Sequence, residues 1–283
     1  MRWRGGRESA NVEDRRGIGR GGMAVGGGLG TLVLVLLAAF CGVDPRQLLE
    51  QMPAEQGAPA PAERRTGNPA EDEQAQFSRV TLGFTEDAWN EIFRQQGSQY
   101  REPTLVLFTG QVQSACGAAG ASVGPFYCPG DEKLYIDLSF FSELSTRFRA
   151  PGEFARAYVI AHEVGHHVQH LTGTMNRVHN AQQRLRQGEA NQLSVRLELQ
   201  ADCYAGVWAN DAGRRGVVEP GDVEAALAAA SAIGDDRLQR ESQGYVVPDS
   251  FTHGSSAQRV RWFRVGYESG DVRRCDTFNT RSL

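Results

Sequence analysis

Four of the chain's six histidines lie within the stretch AYVIAHEVGHHVQHLTG, residues 157–173. The first, His162, is followed directly by Glu163 and, one helical turn later, by His166. Residues four apart lie on one face of a helix, so two imidazoles at this spacing can bind one metal ion. Glu163 lies about 100° round the helix, where it can accept a proton from a metal-bound water. This HExxH pattern predicts a helical zinc site with its own general base.

A catalytic zinc site needs a third protein ligand and an open position for water. The extended pattern HExxHxxGxxH is excluded, because Gln169 and Thr172 occupy the positions of its glycine and third histidine. On a straight helix His170 would lie about 12 Å from the first histidine, too far to share one ion. His167 points off the face, and His179 in a polar stretch has no spacing that recommends it. We therefore interpret these last three histidines as residues outside the ligand set.

The remaining candidate is the sequence LELQAD, which carries Glu198 and Asp202 at i and i+4 of a second helix. Two carboxylates beside an apolar stripe are costly unless they are paired or bind a metal. We predict that Glu198 is the third zinc ligand. Asp202 is predicted to accept a hydrogen bond from the free ring N–H of His162 and so to orient it. The alternative is an ordinary charged helix surface with Arg196 nearby.

Helical periodicity predicts the elements that hold these residues. One long helix should begin after Pro151 and end at Gly173, and a second should cover about 189–212. Shorter helices are predicted over 85–97, with Thr85 as N-cap, over 222–233 and over 255–268. Ser255 and Gln258 have capping-box spacing at the start of the last one.

Two apolar, alternating runs, TLVLFTGQVQ and KLYIDLSFF, predict strands. One of them, TLVLFTG, could offer its edge to an extended substrate. Together with the helices they predict an α+β fold that is mostly helical and has a small sheet.

The N-terminal part of the chain differs from the rest. Residues 1–22 are rich in arginine, and residues 23–43 contain no charge and are long enough to span a bilayer. A cleaved signal peptide is the alternative, but the basic region is long for one and no cleavage site stands out. We predict a basic cytoplasmic arm over 1–22, a transmembrane helix over 23–43, a flexible linker over 44–76, and a zinc metallopeptidase domain over 77–283. The charge asymmetry predicts a single-pass protein of the cytoplasmic membrane with a cytoplasmic N-terminus and an extracytoplasmic domain, periplasmic or on the cell surface.

Cysteine usage agrees with an oxidising compartment. Four cysteines lie outside the apolar segment and can form two bridges. Closeness in sequence favours a disulfide between Cys116 and Cys128, which leaves Cys203 to pair with Cys275. The chain lacks a CxxC pair, so an all-cysteine zinc site is not predicted.

Longer stretches of the sequence resemble a known family. They include RESANVEDRR, GPFYCPGDEKLYIDLSFF, YVIAHEVGHHVQHLTG, LSVRLELQADCYAGVW, AIGDDRLQ and VVPDSFTHGSSAQR. These are similar to the family named putative neutral zinc metallopeptidases, which is bacterial and membrane-anchored. The resemblance implies a gluzincin-type, zincin-like peptidase domain behind an N-terminal anchor. By likeness to the prenyl-protein-processing metallopeptidases, His253 would donate a hydrogen bond to the oxyanion, although a loop histidine with a local capping role is equally open.

The sequence thus predicts a membrane-anchored zinc metallopeptidase, an endopeptidase rather than an exopeptidase, that uses zinc-activated water and Glu163 to hydrolyse peptide bonds. Its partners would be a peptide or protein substrate and the membrane. The net charge of −4 and the lack of a basic stripe indicate no nucleic acid. Two alternatives remain open: a zinc-bound but inactive interaction module, and a zinc hydrolase of a non-peptide amide such as a cell-wall fragment.

Overall fold

The computed structural model describes residues 1–17, 68–120 and 123–283. Eight α-helices lie in this described part: α1 (Pro69–Gln95), α2 (Ser139–Thr146), α3 (Glu153–Leu171), α4 (Thr174–Gln182), α5 (Gln187–Arg214), α6 (Asp222–Ala232), α7 (Asp235–Gln243) and α8 (Ser256–Ser269).

Six short strands form two sheets in the same part of the chain. They are β1 (Val12–Asp14), β2 (Thr104–Phe108), β3 (Gln111–Ser114), β4 (Gly117–Gly120), β5 (Phe126–Cys128) and β6 (Lys133–Asp137). The larger sheet has the order β1-β2-β6-β5, with β1, β2 and β6 parallel and β5 antiparallel to β6. Strands β3 and β4 form a separate antiparallel hairpin.

The helices predicted around the site are confirmed. Helices α3, α5, α6 and α8 lie within two residues of their predicted bounds, and Ser255 and Gln258 form the predicted capping box. The predicted start of the first helix at Thr85 is wrong, because α1 begins at Pro69 and Thr85 is buried within it. The run TLVLFTGQVQ is divided at a turn between β2 and β3.

The predicted substrate edge also differs. Strand β2 lies between β1 and β6, so both of its sides are paired and it has no free edge. The edge strand on the other side of the sheet is β5. The alternating pattern of TLVLF predicts a strand, but which strand ends at the edge depends on pairing with residues far away in the sequence.

Helix α3 lies at the centre of the core and contacts α1, α5, α6 and strand β5. It crosses α5 closely at Gly165, where a Cβ atom would lie 3.0 Å from the carbonyl oxygen of Ala201. Helix α5 in turn crosses α8 at Gly206, where a Cβ atom would lie 2.1 Å from the carbonyl oxygen of Phe263. Glycine at these two crossings lets three helices approach closely enough for polar side chains of all three to meet between them.

The first 17 residues pack onto the domain. Strand β1 pairs with β2, and Trp3 is buried with its ring 5.4 Å from that of Phe77. The Trp3 indole N–H donates to Glu153, the first residue of α3, at 2.7 Å. Ser9 donates to the buried carboxylate of Glu86 at 2.5 Å. The arginine-rich segment therefore belongs to the same core as the helices.

This packing corrects the predicted location. A single membrane crossing between residues 17 and 68 would separate two parts of the chain that share one sheet and one core. The predicted single-pass arrangement, with the N-terminus in the cytoplasm and the domain outside, is therefore wrong. The predicted spanning segment, 23–43, lies outside the described residues, as does 44–67 of the predicted linker; residues 69–76 are the first turns of α1.

The predicted fold class is corrected in the same way. The described chain is a mixed α/β structure of eight helices and small sheets. No helix of residues 1–17, 68–120 and 123–283 is long and apolar enough to cross a membrane, so the transmembrane helix predicted to precede the domain is not found there.

Both predicted disulfides are confirmed. Cys116 is bonded to Cys128 beside the β3–β4 hairpin, and Cys203 on α5 is bonded to Cys275 in the C-terminal segment. Disulfides of this kind are typical of proteins that fold in an oxidising compartment.

Candidate metal centre

Helices α3 and α5 bring three candidate ligands together. The Nε2 atom of His162 lies 3.2 Å from Oε2 of Glu198, and the Nε2 atom of His166 lies 3.3 Å from Oε1 of the same carboxylate. One potential ligand atom from each residue lies within 4.8 Å of the other two. All three side chains are at least four-fifths buried. Two imidazole nitrogens and one carboxylate oxygen form a donor set that zinc binds in catalytic sites, so these residues fit the ion.

His162 is oriented by a buried ionic network. Its Nδ1 atom lies 2.9 Å from Oδ1 of Asp202, a completely buried carboxylate. Arg259 on α8 donates to both oxygens of Asp202, at 2.8 and 2.9 Å, and Tyr158 donates to Oδ1 at 2.5 Å. Asp202 therefore lies on the Nδ1 side of His162, and the bond to Nδ1 leaves Nε2 of His162 facing Glu198.

His166 is oriented by a neutral side chain. Its Nδ1 atom donates to Oε1 of Gln169 at 2.9 Å, one turn along the same helix. The Gln169 amide donates in turn to the carbonyl of Leu197 at 2.7 Å. The two histidines thus expose the same ring nitrogen, Nε2, but are held by partners of different charge.

The carboxylates control the protonation of both rings in the metal-free protein. Burial by itself would lower the pKa of His162, but Asp202 and Glu198 raise that pKa to about 10. Burial would likewise lower the pKa of His166, which Glu198 raises. Burial would raise the pKa of Glu198, but the two histidines hold it well below its ordinary value. Metal binding needs neutral imidazoles, so binding at this site must release protons.

Glu163 lies at the edge of the same cavity. The cavity has a volume of about 490 Å³ and is lined by His162, Glu163, His166, Glu198 and His253. Tyr127 of strand β5 lines it on one side. Apolar side chains also line it, namely Phe140, Ile233 and Leu238. The candidate base, the candidate ligands and an edge strand therefore border one cleft.

His253 also faces this cleft, on the loop before α8. Its side chain is 51% exposed, and its Nδ1 atom lies 3.2 Å from Oδ1 of Asp235. The other oxygen of Asp235 accepts the backbone N–H groups of Thr252, His253 and Gly254 at 2.6–3.0 Å. The hydrogen bond to Asp235 raises the pKa of His253, because it stabilises the cationic ring. The arrangement fixes the loop and keeps a donor near the metal centre.

The other three histidines lie away from the ligand cluster. His167 is fully buried and turns to the sheet, where its ring nitrogens contact the hydroxyl of Tyr127 and the carbonyl of Arg101. His170 lies 3.5 Å from the carboxylate of Glu132. His179 is exposed on α4. None of these three side chains belongs to the candidate ligand cluster His162, His166 and Glu198.

Four residues at the site were missed by the sequence analysis: Tyr158, Gln169, Asp235 and Arg259. Tyr158 lies in the histidine-rich stretch but was given no role there, and Gln169 was used only as a departure from a longer zinc motif. Asp235 and Arg259 lie in AIGDDRLQ and HGSSAQR, stretches that the family resemblance singled out without giving a role to either residue. No spacing rule links either of them to the histidines, because each comes from a different element.

A family model described as "Putative neutral zinc metallopeptidase" matches residues 1–278. This chain belongs to that family. The match includes the docked N-terminal segment and both metal-centre helices, and it shows that zinc is the cofactor, in agreement with the predicted ion.

Relatives match the chain over most of its length. The Escherichia coli (strain K12) protein "Uncharacterized protein YpfJ" is 50% identical over 288 residues, covering 98% of this chain and 99% of the relative. The Mycobacterium tuberculosis (strain ATCC 25618 / H37Rv) protein "Uncharacterized protein Rv2575" is 44% identical over 262 residues, covering 87% and 86%. No solved structure matches the chain.

Proposed function

We propose that this protein is a zinc-dependent endopeptidase in which His162, His166 and Glu198 hold the ion and Glu163 is the general base. The observation that carries the proposal is the convergence of three ligand atoms within 4.8 Å beside Glu163 in one cleft. The family description supports the zinc and the peptidase class.

In the proposed hydrolysis, the zinc ion and the protein side chains have different roles. A bound zinc ion would supply Lewis acidity, polarising a carbonyl oxygen and making a water more acidic. Glu163 takes the proton of the attacking water and later delivers it to the leaving amine of the cleaved peptide. Asp202 holds the Nδ1 proton of His162, so that the ring keeps one orientation throughout.

His253 is proposed to donate a hydrogen bond to the carbonyl oxygen as negative charge develops on it. Its half-exposed ring borders the cleft, and Asp235 both fixes its loop and favours its protonated form. Asp235 is in this view a positioning residue, since it acts through the histidine.

Strand β5 supports a peptide as the substrate. It is the edge strand of the sheet, and Phe126 and Tyr127 line the cleft. An extended peptide can form backbone hydrogen bonds with such an edge along its length, which favours cleavage within a chain. The apolar wall formed by Phe140, Ile233 and Leu238 would accept an apolar side chain next to the cleaved bond.

Two variants test the proposal because they remove carboxylates with different roles. Glu163→Gln should keep about one zinc per protein while peptide cleavage falls by roughly 10²–10⁴-fold. Glu198→Ala should lose zinc on dialysis and lose cleavage with it, since a ligand is removed. The measurements are zinc content and turnover of a mixed-peptide library, with and without chelator.

Other outcomes identify the alternatives. A wild-type protein that binds zinc but cleaves neither peptides nor cell-wall fragments would be an interaction module. Cleavage of wall fragments alone would make it a hydrolase of a non-peptide amide. Full zinc content in Glu198→Ala would mean that the third ligand is another residue.

A further inference from the structure

Gln169 is a fully buried amide whose hydrogen bonds are all made within the protein. Its oxygen accepts from Nδ1 of His166 at 2.9 Å. Its nitrogen donates to the carbonyl of Leu197 at 2.7 Å and to the side-chain oxygen of Gln200 at 3.1 Å. The amide therefore links a metal-binding ring on α3 to two groups on α5.

The chain of amides continues beyond the metal centre. The side-chain nitrogen of Gln200 donates to the backbone carbonyl of Cys275 at 3.0 Å. Cys275 is disulfide-bonded to Cys203, three residues after Gln200 on α5. The sulfur bridge thus holds the Cys275 carbonyl over the second amide.

Two backbone carbonyls, those of Leu197 and Cys275, fix the direction of every hydrogen bond in this series of amides. A backbone carbonyl can only accept, so the nitrogen of Gln200 must face Cys275 and its oxygen must face Gln169. The nitrogen of Gln169 must then face α5, and its oxygen must face His166. The neutral form of His166 consequently carries its proton on Nδ1, and its Nε2 is left with the lone pair that faces Glu198.

We propose that Gln169 is the positioning residue of His166 and that the Cys203–Cys275 disulfide supports it through Gln200. Zinc affinity then depends on a disulfide that does not touch the metal centre. The inference rests on metal binding, which the family and the ligand cluster support, and not on peptide hydrolysis.

The second disulfide provides a matched control. Cys116–Cys128 joins the β3–β4 hairpin region to strand β5 and has no part in the amide chain. Removing either bridge makes the same chemical change, the loss of two sulfur atoms and one covalent link. Only the Cys203–Cys275 pair should affect His166.

The first test measures zinc affinity by competition with a chelator. Gln169→Leu should weaken zinc binding by roughly 10–100-fold, the range for losing a residue that orients a ligand. The double variant Cys203→Ala/Cys275→Ala should weaken it by about 10-fold, at the low end of that range. Cys116→Ala/Cys128→Ala should bind zinc as the wild type does. Equal losses in the two double variants would overturn the role of the disulfide.

A second measurement separates positioning from general stability. In ¹⁵N-histidine NMR spectra of the zinc-free protein at high pH, wild-type His166 should be protonated on Nδ1, and Gln169→Leu should show a mixture of the two tautomers. A single unchanged tautomer with unchanged zinc affinity in Gln169→Leu would overturn the proposal. If a disulfide variant does not fold, Gln200→Leu tests the connection between Gln169 and Cys275 with both disulfides intact. Wild-type zinc affinity in Gln200→Leu would overturn the role of that connection.

The outcomes also separate this inference from the proposed function. Zinc affinity that changes as expected in a protein that cleaves no peptide would contradict the peptidase and leave the amide chain supported. Normal peptide cleavage by the wild type, together with unchanged zinc affinity in Gln169→Leu, would support the peptidase and contradict the role of the amides.

Discussion

Helix α3 presents the same residue type to two different environments. On the side facing α5, His162 lies between two carboxylates, and its pKa is raised to about 10 in the metal-free protein. On the side facing the sheet, His167 meets a tyrosine hydroxyl and a backbone carbonyl, and burial lowers its pKa to about 4. Both rings are at most 6% exposed. Both rings are therefore buried alike, and the charge of their partners decides the difference between their pKa values.

The comparison separates a metal centre from a structural histidine. Carboxylates compensate a cation, whether it is a proton or a metal ion, so the α5 side suits zinc. The hydroxyl of Tyr127 and the carbonyl of Arg101 bind one specific neutral tautomer of His167, which suits packing. Four histidines in one short stretch consequently do not form one four-histidine site.

The largest expected effect on stability comes from the side of α3 that faces α5, where the buried charges lie. Asp202→Ala leaves the buried guanidinium of Arg259 without its carboxylate, and breaking a buried pair costs about 3–5 kcal/mol. We expect a loss of that size in the free energy of unfolding of the zinc-free protein, measured with urea. Zinc affinity should fall by roughly 10–100-fold as well.

The double variant Asp202→Leu/Arg259→Met is the control for that prediction. It removes both charges and should recover much of the lost stability, without recovering the zinc affinity. If Asp202→Ala alone unfolds at the wild-type urea concentration, the ionic network does not hold the charged side together.

On the side of α3 that faces the sheet, the stability contributed by neutral His167 should decrease in acid. The unfolded chain protonates its histidines below a pKa of about 6.5, whereas folded His167 stays neutral down to about 4. The unfolded state therefore binds the extra proton between these values, and stability falls as the pH falls from 6.5 to 4. The contribution of this ring is on the order of 3 kcal/mol.

His167→Gln isolates that contribution, because glutamine keeps hydrogen-bonding groups and does not titrate. Its free energy of unfolding should fall less than that of the wild type over this pH range. Parallel pH profiles for the two proteins would contradict the assignment of a neutral ring.

A smaller effect is expected from the hydroxyl that binds this ring. Tyr127→Phe leaves Nδ1 of His167 buried without its donor and should cost about 1–3 kcal/mol of unfolding free energy. Zinc affinity should stay within twofold of the wild type. A large loss of zinc would show that the two sides of α3 are coupled.

The smallest effect is expected at His170. Its contact with Glu132 is long and partly exposed, and contacts of this kind contribute about 0–1 kcal/mol. His170→Gln should leave both unfolding and zinc content near the wild-type values. Loss of zinc in this variant would instead identify His170 as a ligand.

Local spacing in the sequence was sufficient to predict helices α3, α5, α6 and α8, the capping box and the residues that share a face. His162 and His166 lie together because a helix has 3.6 residues per turn, and Glu198 and Asp202 follow the same rule. Their burial was predictable from the apolar stripes around them. Closeness in sequence was also enough to predict the Cys116–Cys128 disulfide, and the Cys203–Cys275 disulfide followed by elimination.

The tertiary structure decided what spacing does not encode. Arg259 reaches Asp202 from 57 residues away, and Gln200 reaches Cys275 from 75 residues away. The arginine-rich N-terminal segment was interpreted as a separate arm, yet Trp3 packs against Phe77 and β1 completes a sheet. Periodicity reports only which face of an element is apolar, whereas the partner of that face is selected by packing across the whole chain.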